Sequence, residues 1–330
     1  MTVTIGRREV LVALGGAAAA WPLVARAQQP ATPVIGFLHS GLPEANAKFV
    51  MEFRNGLGET GFFEGRNVTI DYRWAHLEDK KLPELAAELV GRRVAVIATP
   101  GSISAALAAK AATTTIPIVF MTGADPVEGG LVTSFNRPGS NITGIGAMNV
   151  ELAAKRLGLL HELASGPAPL AVLYNPNNPD KSLIPEMQAA ALAIGRQVEF
   201  LSATATRDIE PAFAKLVQKR AGALLISPDP LFTSRIVQLA TLAARHAMPA
   251  LYGIREFPEV GGLMSYGSNF RELYREAGIY TGRVLKGEKP ADLPILQATK
   301  FELVINLQTA SALGIDVPST LLARADEVIE

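Results

Sequence analysis

Two apolar runs in the sequence end on a hydroxyl residue that is followed by a proline. Residues 94–106 read V-A-V-I-A-T-P-G-S-I-S-A-A, and residues 223–235 read A-L-L-I-S-P-D-P-L-F-T-S-R. Each run predicts a buried strand, and the residues after each proline predict the start of a helix. Ligands of open parallel sheets bind beyond the carboxyl ends of strands, beside helix N-termini that favour polar and anionic groups. The two stretches therefore predict a small-molecule site.

The candidate ligand-binding residues all lie near predicted strand ends, and they carry hydroxyl, amide, carboxyl or aromatic side chains. They are Ser40, Thr99, Ser102, Thr122, Asp125, Tyr174, Asn175, Asp229, Tyr252 and Tyr266. The strand ends are poor in cations. This composition predicts a site for a small polar or aromatic solute.

Several of these residues also have a purely structural interpretation. Ser102 either caps the helix that begins at Ile103 or contacts the ligand. Asp125 and Asp229 each precede a proline at a predicted helix start, where a carboxylate complements the helix dipole. An aspartate facing the cleft would instead pair with a ligand ammonium group, and Asp229 is the better candidate of the two. Each tyrosine either stacks on a flat ligand or packs in the core.

Catalytic and cofactor motifs are absent from the sequence. The four histidines are scattered, and neither H-E-x-x-H nor a metal-spaced cluster occurs, so no metal site is predicted. The sequence also lacks G-x-S-x-G, G-x-G-x-x-G and P-loop patterns, which argues against a hydrolase and against a nucleotide cofactor. We expect no enzymatic activity, and an exported α/β enzyme remains the alternative because strand-end Ser, Asp and His residues also serve such enzymes.

Composition restricts the partners of this 330-residue chain. Lys plus Arg and Asp plus Glu are equal at 31 each, and no basic block occurs, so neither nucleic acid nor an anionic membrane surface is an expected partner. The chain has no cysteine, which excludes disulfides, a thiol nucleophile and a lipid-modified cysteine. A small-molecule ligand is the expected partner.

The first 27 residues have the three zones of a secretory signal. Arg7 and Arg8 precede an apolar run over residues 10–20, and Ala25-Arg26-Ala27 supplies an A-x-A cleavage site. The run is too short to span a bilayer, and the paired arginines favour the twin-arginine route. We therefore predict cleavage after Ala27 and a periplasmic protein without membrane insertion; the alternative is a structured N-terminal helix.

Apolar runs alternate with helix-period segments, first over residues 34–147 and again from residue 170. This alternation predicts an α/β fold with two Rossmann-like parallel-sheet lobes. Helices are predicted between the strands, including one over 128–135 and one continuous over 232–246. The stiff stretch Ser165-Gly166-Pro167-Ala168-Pro169 ends the predicted hinge region. The predicted division is a signal (1–27), a first lobe (28–148), a hinge (149–169), a second lobe (170–288) and a tail (289–330).

Several segments resemble the ABC-transporter substrate-binding protein family that includes tryptophan- and other aromatic amino-acid-binding members. They are the signal itself and P-V-I-G-F-L-H-S-G, I-P-I-V-F-M-T-G-A-D-P-V-E-G-G-L-V, R-P-G-S-N-I-T-G, L-Y-N-P-N-N-P, G-L-M-S-Y-G and K-F-E-L-V-I-N-L-Q-T-A-S-A-L-G. The resemblance covers essentially the whole chain in order. It implies a type I periplasmic-binding-protein fold with a multi-strand hinge, which the tail crosses back over.

The resemblance also implies a function and residue roles. The protein would bind an amino-acid-like solute by hinge closure and deliver it to an ABC permease and its ATPase in the inner membrane. Thr99 and Ser102 would hold the α-carboxylate, Asp229 or Asp125 the ammonium group, and the tyrosines the side chain. No arginine stands at these strand ends, so backbone N–H groups would carry the anion. The alternative is a sensory ligand-binding module for a membrane receptor.

Overall fold

The computed structural model describes residues 32–149, 151–164 and 166–330. The predicted signal peptide and its cleavage site lie outside these residues. No helix within the described ranges combines the length and the apolar character that crossing a membrane requires.

The first sheet has six parallel strands in the order β11-β5-β4-β3-β1-β2. Its strands are buried on both faces in the middle of the sheet, which explains their continuous apolar sequences. The bounds are β1 Val34–His39, β2 Thr69–Trp74, β3 Val96–Pro100, β4 Ile118–Thr122, β5 Ile142–Gly146 and β11 Leu296–Gln297. The helices before β5 are α1 Ala47–Glu59, α2 Leu82–Gly91 and α3 Ile103–Ala112.

The second sheet has seven strands in the order β13-β12-β10-β9-β8-β6-β7, parallel except for the β10–β12 pair. The bounds are β6 Leu170–Tyr174, β7 Val198–Ser202, β8 Ala223–Ile226, β9 Ala250–Tyr252, β10 Met264–Ser268, β12 Phe301–Asn306 and β13 Glu327–Ile329. The remaining helices are α4 Ala153–Leu163, α5 Leu183–Ala193, α6 Ile209–Gln218, α7 Pro230–Thr233, α8 Ile236–Arg245, α9 Phe270–Leu285, α10 Leu307–Ala312 and α11 Ser319–Leu322.

Helix α9 follows a strand of the second sheet but packs on α1 and on β3, β4 and β5 of the first sheet. Two glycines allow the close approach: a Cβ at Gly56 would lie 1.9 Å from the Arg275 carbonyl oxygen, and one at Gly278 would lie 2.0 Å from that of Phe53. The predicted second-lobe range of 170–288 includes α9. Amphipathic periodicity predicts that a helix covers a sheet, but not which of two sheets it covers.

Within the described residues the chain passes between the sheets three times. It leaves the first sheet after β5, returns to it between β10 and α9, and leaves it again between β11, which pairs with β5, and β12, which pairs with β10. We call these segments the first crossing (residues 147–149 and 151–152), the second crossing (268–270) and the third crossing (297–301). They hold the carboxyl ends of the two sets of parallel strands opposite each other.

Two predicted helices differ from the structure. Residues 128–135 form turns rather than a helix, because Leu131 and Val132 N–H both donate to the Pro126 carbonyl and Gly130 has φ of 74°. The predicted helix over 232–246 is divided into α7, which ends at Thr233, and α8.

Candidate ligand-binding cleft

A cavity of about 380 Å³ lies between the carboxyl edges of the two sheets, and its size suits a small molecule. The first sheet and its helices contribute the loops after β1, β2 and β3, and the second sheet contributes the loops after β6, β7 and β8. The lining residues are Ser40, Leu77, Glu78, Asp79, Lys80, Ser102, Ile103, Ser104, Asn175, Asn177, Asn178, Pro179, Thr204, Asp229, Pro230 and Leu231.

The N-terminus of α3 forms the first-sheet side of the cavity. Ser102 is extended at φ −148°, and its Oγ accepts from Ala105 N–H at 3.2 Å and from the Ser40 hydroxyl at 2.9 Å. The N–H groups of Ile103 and Ser104 have no acceptor among the described residues. Ser102 is therefore a helix cap, and the free N–H groups beside it favour a negatively charged ligand group.

Asp229 forms the second-sheet side of the cavity. It is 7% exposed, and its carboxylate accepts from Leu231 N–H at 2.9 Å, from Asn175 Nδ2 at 3.2 Å and from Asn178 Nδ2 at 2.9 Å. Burial raises the pKa of Asp229 to about 6, although these three donors favour the ionised form. No described Lys or Arg forms an ion pair with it. This buried carboxylate suits a cationic ligand group.

A chain of hydrogen bonds fixes the floor of the cleft beneath α3. Gly41 N–H donates to His39 Nδ1 at 2.8 Å, so the proton is on Nε2, which donates to the Tyr274 hydroxyl at 3.1 Å. The Tyr274 hydroxyl donates in turn to the Pro100 carbonyl at 3.3 Å. Burial lowers the pKa of His39 to about 3, so the ring is neutral. A Cβ at Gly101, which has φ of 83°, would lie 2.2 Å from the Tyr274 hydroxyl.

The structure brings five of the ten predicted site residues together. Ser40, Ser102, Asn175 and Asp229 line the main cavity, and Thr122 lines an adjoining compartment of about 60 Å³. The other five lie outside both spaces, among them Thr99 and Asp125.

Thr99 and Asp125 are held by the first lobe rather than exposed to the cleft. Thr99 is fully buried in β3, and its hydroxyl has no hydrogen-bond partner among the described residues. The Asp125 carboxylate caps a turn, accepting from Val127 N–H at 2.7 Å and Glu128 N–H at 3.0 Å. The contacts of the Asp125 carboxylate are therefore those of a capping residue.

The three predicted tyrosines pack against the second sheet and line neither space. The Tyr252 ring stacks on Phe257 with centroids 4.1 Å apart, Tyr174 lies edge-on to Phe200 at 6.3 Å, and Tyr266 lies beside Phe301 at 6.5 Å. Side chains alternate between the faces of a strand, so a strand-end position alone does not direct a ring towards the cleft.

Sequence reasoning did not name Asn149 or Asn178 among the lining residues, and it expected backbone N–H groups to carry an anion without naming those of Ile103 and Ser104. The run Asn175-Pro176-Asn177-Asn178 after β6 carried a signal for Asn178, because three amides follow one strand end. Asn149 lies in a segment predicted only as a hinge, where no local pattern marks a binding residue.

Two α/β sheets whose strand ends meet across one polar cleft define a two-lobed solute-binding protein. Residues 43–329 match the model of the family described as "ABC transporter substrate binding protein", and the chain belongs to this family.

Three relatives agree with this assignment. A tyrosine-binding protein of Clostridioides difficile (strain R20291) is 26% identical over 280 residues, covering 83% of this chain and 78% of that one. A domain from Streptococcus pneumonia in complex with L-Trp is 25% identical with a TM-score of 0.82, covering 91% of this chain and 100% of that one. A substrate binding protein from Clostridium difficile in its ligand-free, open structure is 25% identical with a TM-score of 0.63, covering 90% and 99%. The predicted type I periplasmic-binding-protein fold is confirmed.

Proposed function

We propose that this substrate-binding protein takes up a small amino-acid-like zwitterion in the cleft and has no enzymatic activity of its own. The observation that carries the proposal is a buried carboxylate on one wall of the cavity and a helix N-terminus on the other. Asp229 offers a buried carboxylate without an ion-pair partner among the described residues, and the N-terminus of α3 offers free N–H groups. The relatives described as tyrosine-binding and as an L-Trp complex support an amino-acid ligand.

In this arrangement the ligand ammonium group lies against Asp229, and its carboxylate lies against the N–H groups of Ile103 and Ser104. Ser102 Oγ already accepts two hydrogen bonds, so its own proton is available to donate to the carboxylate. Each wall alone leaves one end of the zwitterion without a partner. Only a cleft closed over the ligand satisfies both ends, so binding favours closure.

The likeness to solved relatives supports a closed arrangement of the lobes. The TM-score is 0.82 against the L-Trp complex and 0.63 against the ligand-free, open structure, although both relatives are 25% identical and similarly covered. Rotation of two lobes lowers a whole-chain score without changing either lobe. We assign residues 34–146 and 271–296 to the first lobe and residues 153–164, 166–267 and 302–330 to the second, with the three crossings as the hinge.

The closed, loaded protein would deliver its solute to an ABC permease and its ATPase in the inner membrane. Export and cleavage after Ala27 would place the mature chain in the periplasm, where such a permease receives its ligand.

A ligand screen on the stripped protein tests the proposal. The mature chain from Gln28 is unfolded, refolded and titrated calorimetrically with the twenty L-amino acids. At least one should bind, and Asp229→Asn should weaken it about tenfold or more because the ammonium group loses its counter-charge. The exposed Asp316→Asn is the matched control and should bind as the wild type does. Absence of binding by all twenty, or equal binding by Asp229→Asn, contradicts the proposal.

A further inference from the structure

The compartment of about 60 Å³ adjoins the main cavity on the side of the hinge. It shares Ile103, Asn178, Asp229 and Pro230 with the main cavity. Two crossings line the compartment, the first through Asn149 and the second through Phe270, so ligand atoms in this compartment touch the hinge itself.

Asn149 is held on three sides. Its N–H donates to the Gly123 carbonyl at 3.0 Å, its own carbonyl accepts from Arg156 Nη1 at 3.1 Å, and its Oδ1 accepts from Arg156 Nη2 at 2.9 Å. A guanidinium can only donate, so the side-chain oxygen must face Arg156 and the orientation of the amide is determined.

The Asn149 Nδ2 group therefore points away from Arg156. It lies against Gly123, where an added Cβ would be 2.1 Å from it, and the residue lines the small compartment. Asn149 is 7% exposed, and Nδ2 has no acceptor among the described residues. It is a donor at the lining of the cleft, and it has no partner among the described residues.

Arg156 is an unusual residue for this position. It is fully buried in α4, and its Nε donates to the Tyr266 carbonyl at 2.7 Å. No described carboxylate forms an ion pair with it, and burial lowers its pKa to about 10, so it remains charged near neutral pH. Gly267 leaves room for the guanidinium, since a Cβ there would lie 3.0 Å from Nη2. Buried charges are costly unless compensated, and here neutral oxygens alone receive the cation.

We propose that Arg156 is a positioning residue that presents Asn149 Nδ2 as a hydrogen-bond donor to an oxygen acceptor of the bound solute. This inference rests on the proposed function. The compartment has room for a few heavy atoms, since one water needs about 10–15 Å³ of such a space. The solute therefore carries a short substituent with a hydroxyl, carbonyl or carboxylate oxygen that enters it.

The same guanidinium joins the first crossing to the strand that leads into the second crossing. It bonds Asn149 in the first crossing and Tyr266 in β10, immediately before the second. A solute bonded to Asn149 is thereby attached to the chain segments that rotate when the lobes close, which couples occupancy of the compartment to hinge geometry.

Calorimetric titration of hinge variants tests this inference on the stripped mature chain, with the twenty L-amino acids as probes. Asn149→Asp keeps the side-chain shape and the Arg156 contact but turns an acceptor towards the ligand oxygen, so the Kd of the best-bound amino acid should rise at least tenfold. The exposed Asn55→Asp makes the same chemical change far from the cleft and should leave the Kd unchanged.

A double-variant comparison separates positioning from a purely structural role. Arg156→Lys should weaken binding in the wild-type background but add little to Asn149→Ala, because Arg156 acts through the donor that Asn149→Ala has removed. The ¹⁵N side-chain amide resonance of Asn149 should shift on ligand addition in the wild type and broaden or split in Arg156→Lys.

Three results would overturn the inference. Unchanged affinity in both Asn149→Asp and Asn149→Ala excludes Nδ2 as a ligand donor while leaving the proposed function intact. Additive losses in the double variant show that Arg156 acts elsewhere. If no amino acid binds the wild-type chain, the proposed function fails and this inference fails with it. Asn149→Ala adds no charge, so its Kd is compared with that of the wild type if Asn149→Asp does not fold.

Discussion

At the scale of single residues, the cleft presents a carboxylate without a cation and backbone N–H groups without an acceptor among the described residues. Asp229 retains three hydrogen bonds but no cation, and the first N–H groups of α3 retain no acceptor. A ligand with both charges supplies what each wall lacks. No aromatic side chain is among the described residues that line the main cavity. The cleft therefore differs from the predicted site, in which Tyr174, Tyr252 or Tyr266 stacks on a flat ligand.

Asp229 should make the ligand-free protein less stable as the pH rises. Its folded pKa of about 6 lies above the ordinary value of 3.8, so the folded state holds the proton more tightly than the unfolded state. The contribution of protonated Asp229 to the stability of the folded state is fully present below about pH 4. This contribution is lost as the pH rises through about 6.

Urea unfolding of wild type and Asp229→Asn between pH 4 and 8 measures this contribution. Asparagine does not titrate, so only the wild type should lose this stability as the pH rises. From pH 4 to pH 8 the free energy of unfolding of Asp229→Asn, relative to that of the wild type, should therefore increase by about 1–3 kcal/mol. Asp316→Asn should give a pH-independent difference. A constant difference for Asp229→Asn would mean that its carboxylate is not desolvated.

The predicted site residues that line the main cavity are polar groups directly at strand ends. Ser40, Ser102, Asn175 and Asp229 line the cavity because they follow β1, β3, β6 and β8 at the edge where the sheets meet. The predicted tyrosines line neither space, because the pattern that identifies a strand end does not determine which face its last ring occupies. Asn149 could not be found, since its orientation depends on Arg156, which reaches it only in the folded chain.

At the scale of elements, α9 falls within the range 170–288 that the sequence predicts for the second lobe. It packs on α1 of the first lobe, with Gly56 and Gly278 placing the two backbones in contact. Apolar strands were predicted well because burial on both faces leaves continuous apolar runs. Helix partners depend on small residues matched across distant segments, and a single sequence does not reveal such a match.

Gly56→Ala should destabilise the protein by about 1–3 kcal/mol or more, because its Cβ would lie 1.9 Å from the Arg275 carbonyl oxygen. The matched control is Gly91→Ala at the end of α2, where a Cβ meets nothing within 4 Å. That variant should be neutral or more stable by up to about 1 kcal/mol. Thermal unfolding checks both, and equal midpoints for the two variants would contradict the close contact between α1 and α9.

At the scale of the whole molecule, three crossings join two lobes whose binding groups are complementary. Two of these crossings reach the small compartment through Asn149 and Phe270, and Arg156 bonds the first crossing to β10. The sequence predicted two lobes and a tail that returns, because alternating strands and helices restart after residue 169. It did not predict which tail strand joins which sheet, since β11 has only two residues and β12 runs antiparallel to β10.

Ligand-driven closure is the most direct test of the two-walled cleft. The chain has no cysteine, so Met51→Cys on α1 and Leu192→Cys on α5, which are 53% and 83% exposed, accept a fluorophore pair without background labelling. Single-molecule energy transfer is measured on the stripped protein with the L-amino acid that binds best. We predict two interlobe distances, with the closed population rising with ligand concentration at the calorimetric Kd, and no such rise for Asp229→Asn at that concentration. A single unchanged distance at saturating ligand would contradict closure around a bridging solute.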